Sequence, residues 1–318
     1  MSLIQFFKRL VSEPAPDYLF EMSESALASA LPSDPATIRE EKVAPQSLAV
    51  SPASSNLVNP EAYRSALAKL APVTNGRKPT AGLVVPDYAL RMAILDFDEW
   101  PDSEEQRLAL VRFRLRKSLP FAVEEAQVSF APQSRDAGKA EVLTVAIDRR
   151  ILSEYEEVFT AGGFRIGLVV PSSVACLPLC PPAAAASSSP GPPGVALLLK
   201  LSGAILTAIL LDGGKMRLIR CVDFSEPFSE EQPAPAPART FSIVDDTMPV
   251  MQQTIAYAED ELGRSVDCLL LTGFGPDATA IGSLAEQEFK LKWEFLRSRF
   301  APVYDYAGLL GLLEQYAA

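Results

Sequence analysis

Between Ala81 and Leu179 the hydrophobic residues switch repeatedly between a two-residue and a 3.6-residue period, and that alternation restricts the chain to the α/β class. Leu83–Val85 reads as a short strand closed by Pro86, and Arg91–Phe97 alternates as a second strand. After the Pro101-Asp102 turn, Ser103 with Gln106 three residues on forms a capping-box pattern ahead of Leu108, Val111, Leu115 and Leu119 at helical spacing. Ala126–Ala131 and Val142–Ile147 read as strands joined by the polar turn Gln133–Lys139. Asp148 is placed to cap a helix whose buried stripe is Ile151, Tyr155, Val158 and Phe159, and Gly162-Gly163 stops it before the strand Arg165–Val170.

A second regular block begins at Val195. Val195–Leu201, Ala204–Leu211 and Lys215–Val222 are strand-like, and the short turns Ser202-Gly203 and Asp212-Gly213-Gly214 predict an antiparallel meander. Lys200 and Ser202-Gly203 interrupt the apolar run Val195–Leu211, which also falls short of the ~20 residues of a membrane span, so two buried strands are expected. A helix over Asp246–Leu262 follows, with Met251, Ile255, Ala258 and Leu262 on one face. The strand Asp267–Leu271, the glycine turn Thr272–Pro276 and a helix over Ala278–Phe289 complete the pattern. Leu31–Pro60, Pro181–Gly194 and Glu230–Ala238 are rich in proline, serine and alanine and read as linkers or loops, after an apolar segment at Tyr18–Ala30. The 318 residues exceed one compact core, which implies two lobes or a lobe with an inserted subdomain.

The composition removes several classes of function. With 29 basic and 40 acidic side chains the net charge is -11, which disfavours a nucleic-acid partner and an anionic lipid surface. Histidine is absent, so the usual general base of hydrolases and the commonest catalytic-zinc ligand are missing. Cys176, Cys180, Cys221 and Cys268 match neither a disulfide framework nor a zinc pattern and fit a reducing compartment, with Cys176 and Cys180 read as small core residues. Adjacent acids at Glu104-Glu105, Glu124-Glu125 and Glu156-Glu157 diverge into water and make no acid–base pair. The start Met1–Val11 is amphipathic but lacks the apolar core and cleavage site of an export signal. Trp100 and Trp293 read as packing residues.

Several stretches resemble a known family. VPDYALRMAIL, the capped helix running into LRKSLPFAVEEAQVSF, and EVLTVAIDRRILSEYEEVFTAGGFRIGLVVPSSVA are similar, nearly element by element, to the inserted subdomain of the type IV pilus assembly protein PilM family. The meander from Val195, the TGFG turn at Thr272 and the terminal DYAGLLGLL fall where actin-like folds place a second phosphate loop, a nucleoside loop and a closing helix. The resemblance implies an actin-like (ribonuclease H-like) two-lobed α/β fold with an inserted α/β subdomain in the first lobe. The division would be 1–80 for the first part of lobe 1, 81–170 for the insertion, 171–194 for a return segment, and 195–318 for lobe 2 with its closing helix.

Against the family pattern the nucleotide loops are degenerate. In the first, Glu21 stands at the acidic place, Ser23 at the glycine place, Glu24 and Ser25 follow in the turn, and Ala28 occupies the place where a lysine is often found. In the second, Lys200 replaces the acid, ahead of Ser202 and Gly203; the third keeps Thr272, Gly273 and Gly275. Glycine matters in such loops because a Cβ blocks the approach of backbone N–H groups to phosphate. The resemblance therefore implies a scaffold without ATP hydrolysis and with no required cofactor, Mg-ATP being the alternative. It also implies a cytoplasmic protein held peripherally at the inner membrane through the N-terminal peptide of a PilN-like bitopic protein, near the pilus motor ATPases. The peptide's groove would be lined by Val85, Tyr88, Leu90, Met92, Leu108, Val111 and Leu115. Two rivals are an active actin-like ATPase and the equivalent GspL-like scaffold of a type II secretion system; chains of the latter usually continue into a transmembrane helix, whereas this one ends at Ala318.

Overall fold

The computed structural model describes residues 14–71, 77–136, 139–181, 194–225, 242–303 and 305–317. The expected linkers at Pro181–Gly194 and Glu230–Ala238 and the start Met1–Val11 fall largely outside them. Two compact units divide the chain: one is built from 1–179, 297–302 and 306–318, the other from 180–296 and 303–305.

The first unit is organised by a five-stranded sheet ordered β3-β2-β1-β4-β8, with β1 Tyr18–Met22, β2 Ala26–Leu31, β3 Asp34–Lys42, β4 Thr80–Val85 and β8 Arg165–Pro171. β1 to β3 form an antiparallel meander, and β4 and β8 add in parallel. Helix α1 (Pro60–Leu70) makes the crossover to β4. Asn59 caps it by accepting from the Ala62 N–H, Pro60 starts it, and Tyr63, Ala66, Leu67 and Leu70 supply its buried face. Their core closes around Phe20, whose ring lies 5.0 Å from Phe159 and 5.4 Å from Phe164.

Between β4 and β8 the chain inserts a three-stranded sheet ordered β5-β7-β6, from β5 Arg91–Phe97, β6 Ala126–Asp136 and β7 Lys139–Asp148. Helix α2 (Glu104–Leu115) covers one face, burying Val111 and Leu115 against Phe97, Ala126, Val128 and Val142. Helix α3 (Arg149–Ala161) is capped by Asp148 as expected, and its stripe Ile151, Tyr155, Val158 and Phe159 joins the core of the large sheet. A single turn, α4 (Ser172–Ala175), follows β8.

The second unit repeats the arrangement. Its sheet is ordered β11-β10-β9-β12-β13, from β9 Val195–Ser202, β10 Ile205–Asp212, β11 Lys215–Asp223, β12 Cys268–Thr272 and β13 Lys292–Phe295, again a meander with two added parallel strands. Helices α5 (Ile243–Leu262) and α6 (Ala278–Phe289) pack on the face carrying Leu197, Leu199, Leu206 and Leu271. Gly263 ends α5 in the left-handed conformation at φ 60°, and Gly282 of α6 leaves room for the Trp293 ring. The final helix, α7 (Ala307–Tyr316), belongs to the first unit.

Several expectations change. Leu31–Pro60 is no linker: it contains β3, and its remainder is tied down through buried Asn56, which accepts from the Tyr155 hydroxyl at 2.8 Å while its own backbone N–H donates to Glu154 at 2.7 Å. Ser103 precedes α2 but makes no side-chain cap, and α2 stops at Leu115, short of Leu119. β6 and β7 extend through the polar residues assigned to their turn, because the ladder continues from Ser134↔Glu141 to Asp136↔Lys139. β4, β8 and α3 belong to the large sheet and its core, which confines the insertion to less than 81–170. The closing helix packs outside the block that begins at 195.

Candidate functional site

Glu21 sits near the end of β1, at the centre of its sheet, and is only 4% exposed. A carboxylate there must be neutralised by donors, and two are provided from distant parts of the chain. Ser172, the first residue of α4, donates its hydroxyl to Oε1, and the Leu309 backbone N–H in the first turn of α7 donates to Oε2 at 2.7 Å. The positive end of α7 thus points at the carboxylate. Gly308 permits the approach, since a Cβ there would lie 2.6 Å from Val84 and 3.1 Å from Glu21 Oε1. Sequence reasoning missed both donors, and no local pattern marks Ser172 or Leu309 as a partner of a residue so far away.

The rest of the first loop is closed on itself. The Ser23 N–H donates to the Ala26 carbonyl at 3.0 Å, and the Ser23 hydroxyl accepts from the Ala26 N–H at 3.2 Å. The Ser23 carbonyl accepts from the Tyr63 hydroxyl at 2.7 Å, whose pKa is raised by burial first and the Glu24 charge second. Ser25 Oγ lies 3.4 Å from Ser23 Oγ, and its carbonyl accepts from the Val43 N–H. Ala28 is buried in β2. The N–H groups of Ser23 and Ala26 are therefore engaged in the hairpin.

The second and third loops are brought together by the sheet of the second unit. Lys200 on β9 is paired in register with Thr207 on β10 and Thr272 on β12, so the three side chains lie in a row on one face. All three are buried, Lys200 at 5% exposure, and the Thr272 hydroxyl has no hydrogen-bond partner. An amine between two hydroxyls supplies no carboxylate to a divalent cation. Ser202 closes β9, and Gly203 takes φ 58° in the two-residue turn to β10, where Ser202 and Ile205 pair. Gly273 has φ 82°, and a Cβ there would lie 1.9 Å from the Leu201 carbonyl oxygen. The contact with β9 and the left-handed backbone both call for glycine there. Gly275, at φ 52°, meets nothing within 4 Å and is required by its backbone conformation.

The groove residues divide. Val85 and Leu90 lie in the core of the large sheet, and Val111 and Leu115 in the core under α2, so none of these four is presented to a partner. The α2 stripe read as a groove wall is the face that holds the helix to its own sheet. Leu108 is partly buried against the same core. Tyr88 and Met92 remain half-buried, with the Arg91 guanidinium 5.1 Å from the Tyr88 ring centroid. Met92 and Ile94 alternate with Ala93 and Leu95, so they lie on the sheet face opposite α2.

Cys176 is buried and donates to the Ser173 carbonyl at 3.1 Å; burial pushes the Cys180 thiol up to about 12 and the Cys268 thiol up to about 11. Among the described residues no group of acidic, cysteine or histidine side chains has the arrangement of a metal site, and no helix is long and apolar enough to cross a membrane.

Two sheets with the same strand order and the same change from antiparallel to parallel pairing, the first interrupted by a small α/β insertion, define an actin-like fold. A chain of a solved PilM–PilN type IV pilus biogenesis complex shares this fold over 96% of the present chain and 100% of its own length, with 17% identity and a TM-score of 0.68. A Bacteroides thetaiotaomicron protein with an actin-like ATPase fold is similar over 94% of this chain and 96% of its own, at 11% identity and a TM-score of 0.55. No family model and no curated protein matches the sequence.

Proposed function

We propose that this chain is a scaffold of a type IV pilus or related secretion platform that holds the N-terminal peptide of a PilN-like bitopic protein and hydrolyses no ATP. The observation that carries the reading is the engagement of Glu21. Its two carboxylate oxygens accept from Ser172 and from the Leu309 N–H, so a magnesium ion would have to compete with internal donors for a buried carboxylate. In the second unit Lys200 stands where an actin-like ATPase has an acid, and it offers no carboxylate to a metal ion. These residues do not fit Mg-ATP. The fold shared with a PilM–PilN complex supports a PilN-like partner.

On this reading the peptide lies along Tyr88, Met92 and Ile94, on the face of the β5-β7-β6 sheet away from α2, where half-buried apolar side chains are available. Peptide capture of this kind needs an apolar trough and no catalytic group. The protein would be cytoplasmic, held peripherally at the inner membrane through that partner, with the pilus motor ATPases nearby.

Fluorescence anisotropy with the N-terminal peptide of the bitopic protein encoded beside this chain tests the reading. Saturable binding that weakens about tenfold in Ile94→Glu, at an unchanged melting temperature, supports it, a loss expected for a charge placed in an apolar contact. Absence of binding by every such peptide overturns the partner assignment. A rise in melting temperature with Mg-ATP, the mass-action signature of a ligand bound to the native state, overturns the rest.

A further inference from the structure

The chain is acidic overall, but the end of α2 and the turn after it reverse the sign. Arg112, Arg114, Arg116 and Lys117 stand within six residues, in a protein of net charge -11. Among them Phe113 is 72% exposed. Basic residues at a helix C-terminus complement the helix dipole, which accounts for their sign. The dipole gives no reason for an aromatic ring in water at the centre of the cluster.

The detailed contacts leave the cluster open to a ligand of opposite charge. Among the described residues only Arg116 has a carboxylate partner there, Glu124 at 3.4 Å, with both side chains about two-thirds exposed. Arg114 turns over the Phe97 ring at 5.4 Å, and Arg112 Nε is buried with no acceptor. Exposed Ala109 lies one turn before Phe113 on the helix, and Arg116 and exposed Lys117 follow in the turn that closes it. An apolar spot is thus rimmed by guanidinium and ammonium groups.

We propose that this end of α2 docks a short acidic segment of a partner protein, with an aromatic or aliphatic side chain set against Phe113 and carboxylates on Arg112, Arg116 and Lys117. Charge complementarity selects that occupant. The patch spans roughly 9 Å at the helical rise per residue, about one Debye length at physiological salt. An anionic bilayer is a plane far wider than the patch, and the net charge of -11 on the chain opposes its approach. A peptide meets the patch alone. The surface is separate from the sheet face assigned above to the PilN-like peptide, because α2 covers the opposite face of that sheet.

The test uses the full chain and a fluorescein-labelled synthetic peptide of alternating glutamate pairs and single phenylalanines, with a second peptide in which serine replaces phenylalanine. The expected result is saturable binding of the first peptide, roughly tenfold weaker for Phe113→Ser, as for loss of an aromatic anchor. Arg112→Glu with Arg116→Glu should abolish it, and raising salt from about 50 to about 300 mM should weaken it. Glu105→Lys, at the other end of the helix, serves as a control and should bind like the wild type. All these positions are at least partly exposed, and an unchanged melting temperature verifies that each variant folds. Equal binding by the wild type and both patch variants overturns the proposal, as does equal binding of the two peptides. Binding only to vesicles of about 30% phosphatidylglycerol would make the occupant a bilayer instead. A dimer abolished by Phe113→Ser, without peptide binding, would make it a second copy of this chain.

Discussion

Asp148 accepts from the Arg150 backbone N–H at 2.8 Å and from its guanidinium, the shortest contact being 2.7 Å, while its own side chain is buried. The Arg150 hydrogen bond leads the causes that hold its carboxyl below the ordinary value of 3.8. A depressed carboxylate pKa stabilises the fold at pH above the unfolded value, and the contribution is lost as pH falls through the folded one. Asp148→Ala should therefore cost about 1–2 kcal/mol in urea melts at neutral pH, as for loss of an N-cap, and less near pH 3. Glu21 makes a sharper case. In Glu21→Gln the amide can still accept from Ser172, but its NH2 would face the Leu309 N–H, so one buried donor is left unpaired at a cost of about 2–3 kcal/mol. A carboxylate kept for metal binding would behave in the opposite way, since removing charge from a ligand site commonly leaves the apo protein unchanged or steadier. A urea midpoint for Glu21→Gln equal to or above that of the wild type would reject the internal role.

Among the elements, α7 is held by close backbone approach. A Cβ at Gly311 would lie 2.1 Å from the Ala175 carbonyl oxygen and 2.8 Å from Cys176 Cα, both backbone atoms that cannot rotate aside. Gly311→Ala should thus cost at least the 1–3 kcal/mol of ordinary overpacking, with hydrogen exchange rising first across Ala307–Tyr316. The helix itself was legible from the run DYAGLLGLL; the unit it joins was not, because periodicity gives an apolar face without saying which sheet receives it. Helix α1 carried readable signals at Asn59, Pro60 and the spacing Tyr63, Ala66, Leu67, Leu70, but they lay beside a tract dominated by serine and proline. β3, with the sequence DPATIREEK, offers little apolar alternation, since an edge strand can be held by backbone pairing to β2. The meander from Val195 was readable nearly to the residue because both faces of β9 and β10 are buried and their turns carry glycine.

At the scale of the whole molecule, the degenerate loops were visible as substitutions, but their consequences were not, since the partners of Glu21 lie 151 and 288 positions away in the chain. The same connectivity sets how the protein unfolds. The chain builds most of its first unit, passes through the second, and returns to the first with α7. That helix buries Leu309, Leu310, Leu312 and Leu313. At about 1.5–3 kcal/mol for each fully buried leucine, these four contribute roughly 6–12 kcal/mol, comparable to the whole net stability of a domain. The core of the second unit contains no residue of α7. Removing residues 297–318 should therefore unfold the first unit, although its sheet is complete by residue 171, while the second unit keeps its structure. Hydrogen exchange on the truncated chain should show β1 and β4 unprotected and β9 and β10 still protected. Protection of β1 and β4 at the full-length level would mean that the returning helix is an accessory, and would remove with it the structural role assigned to Glu21.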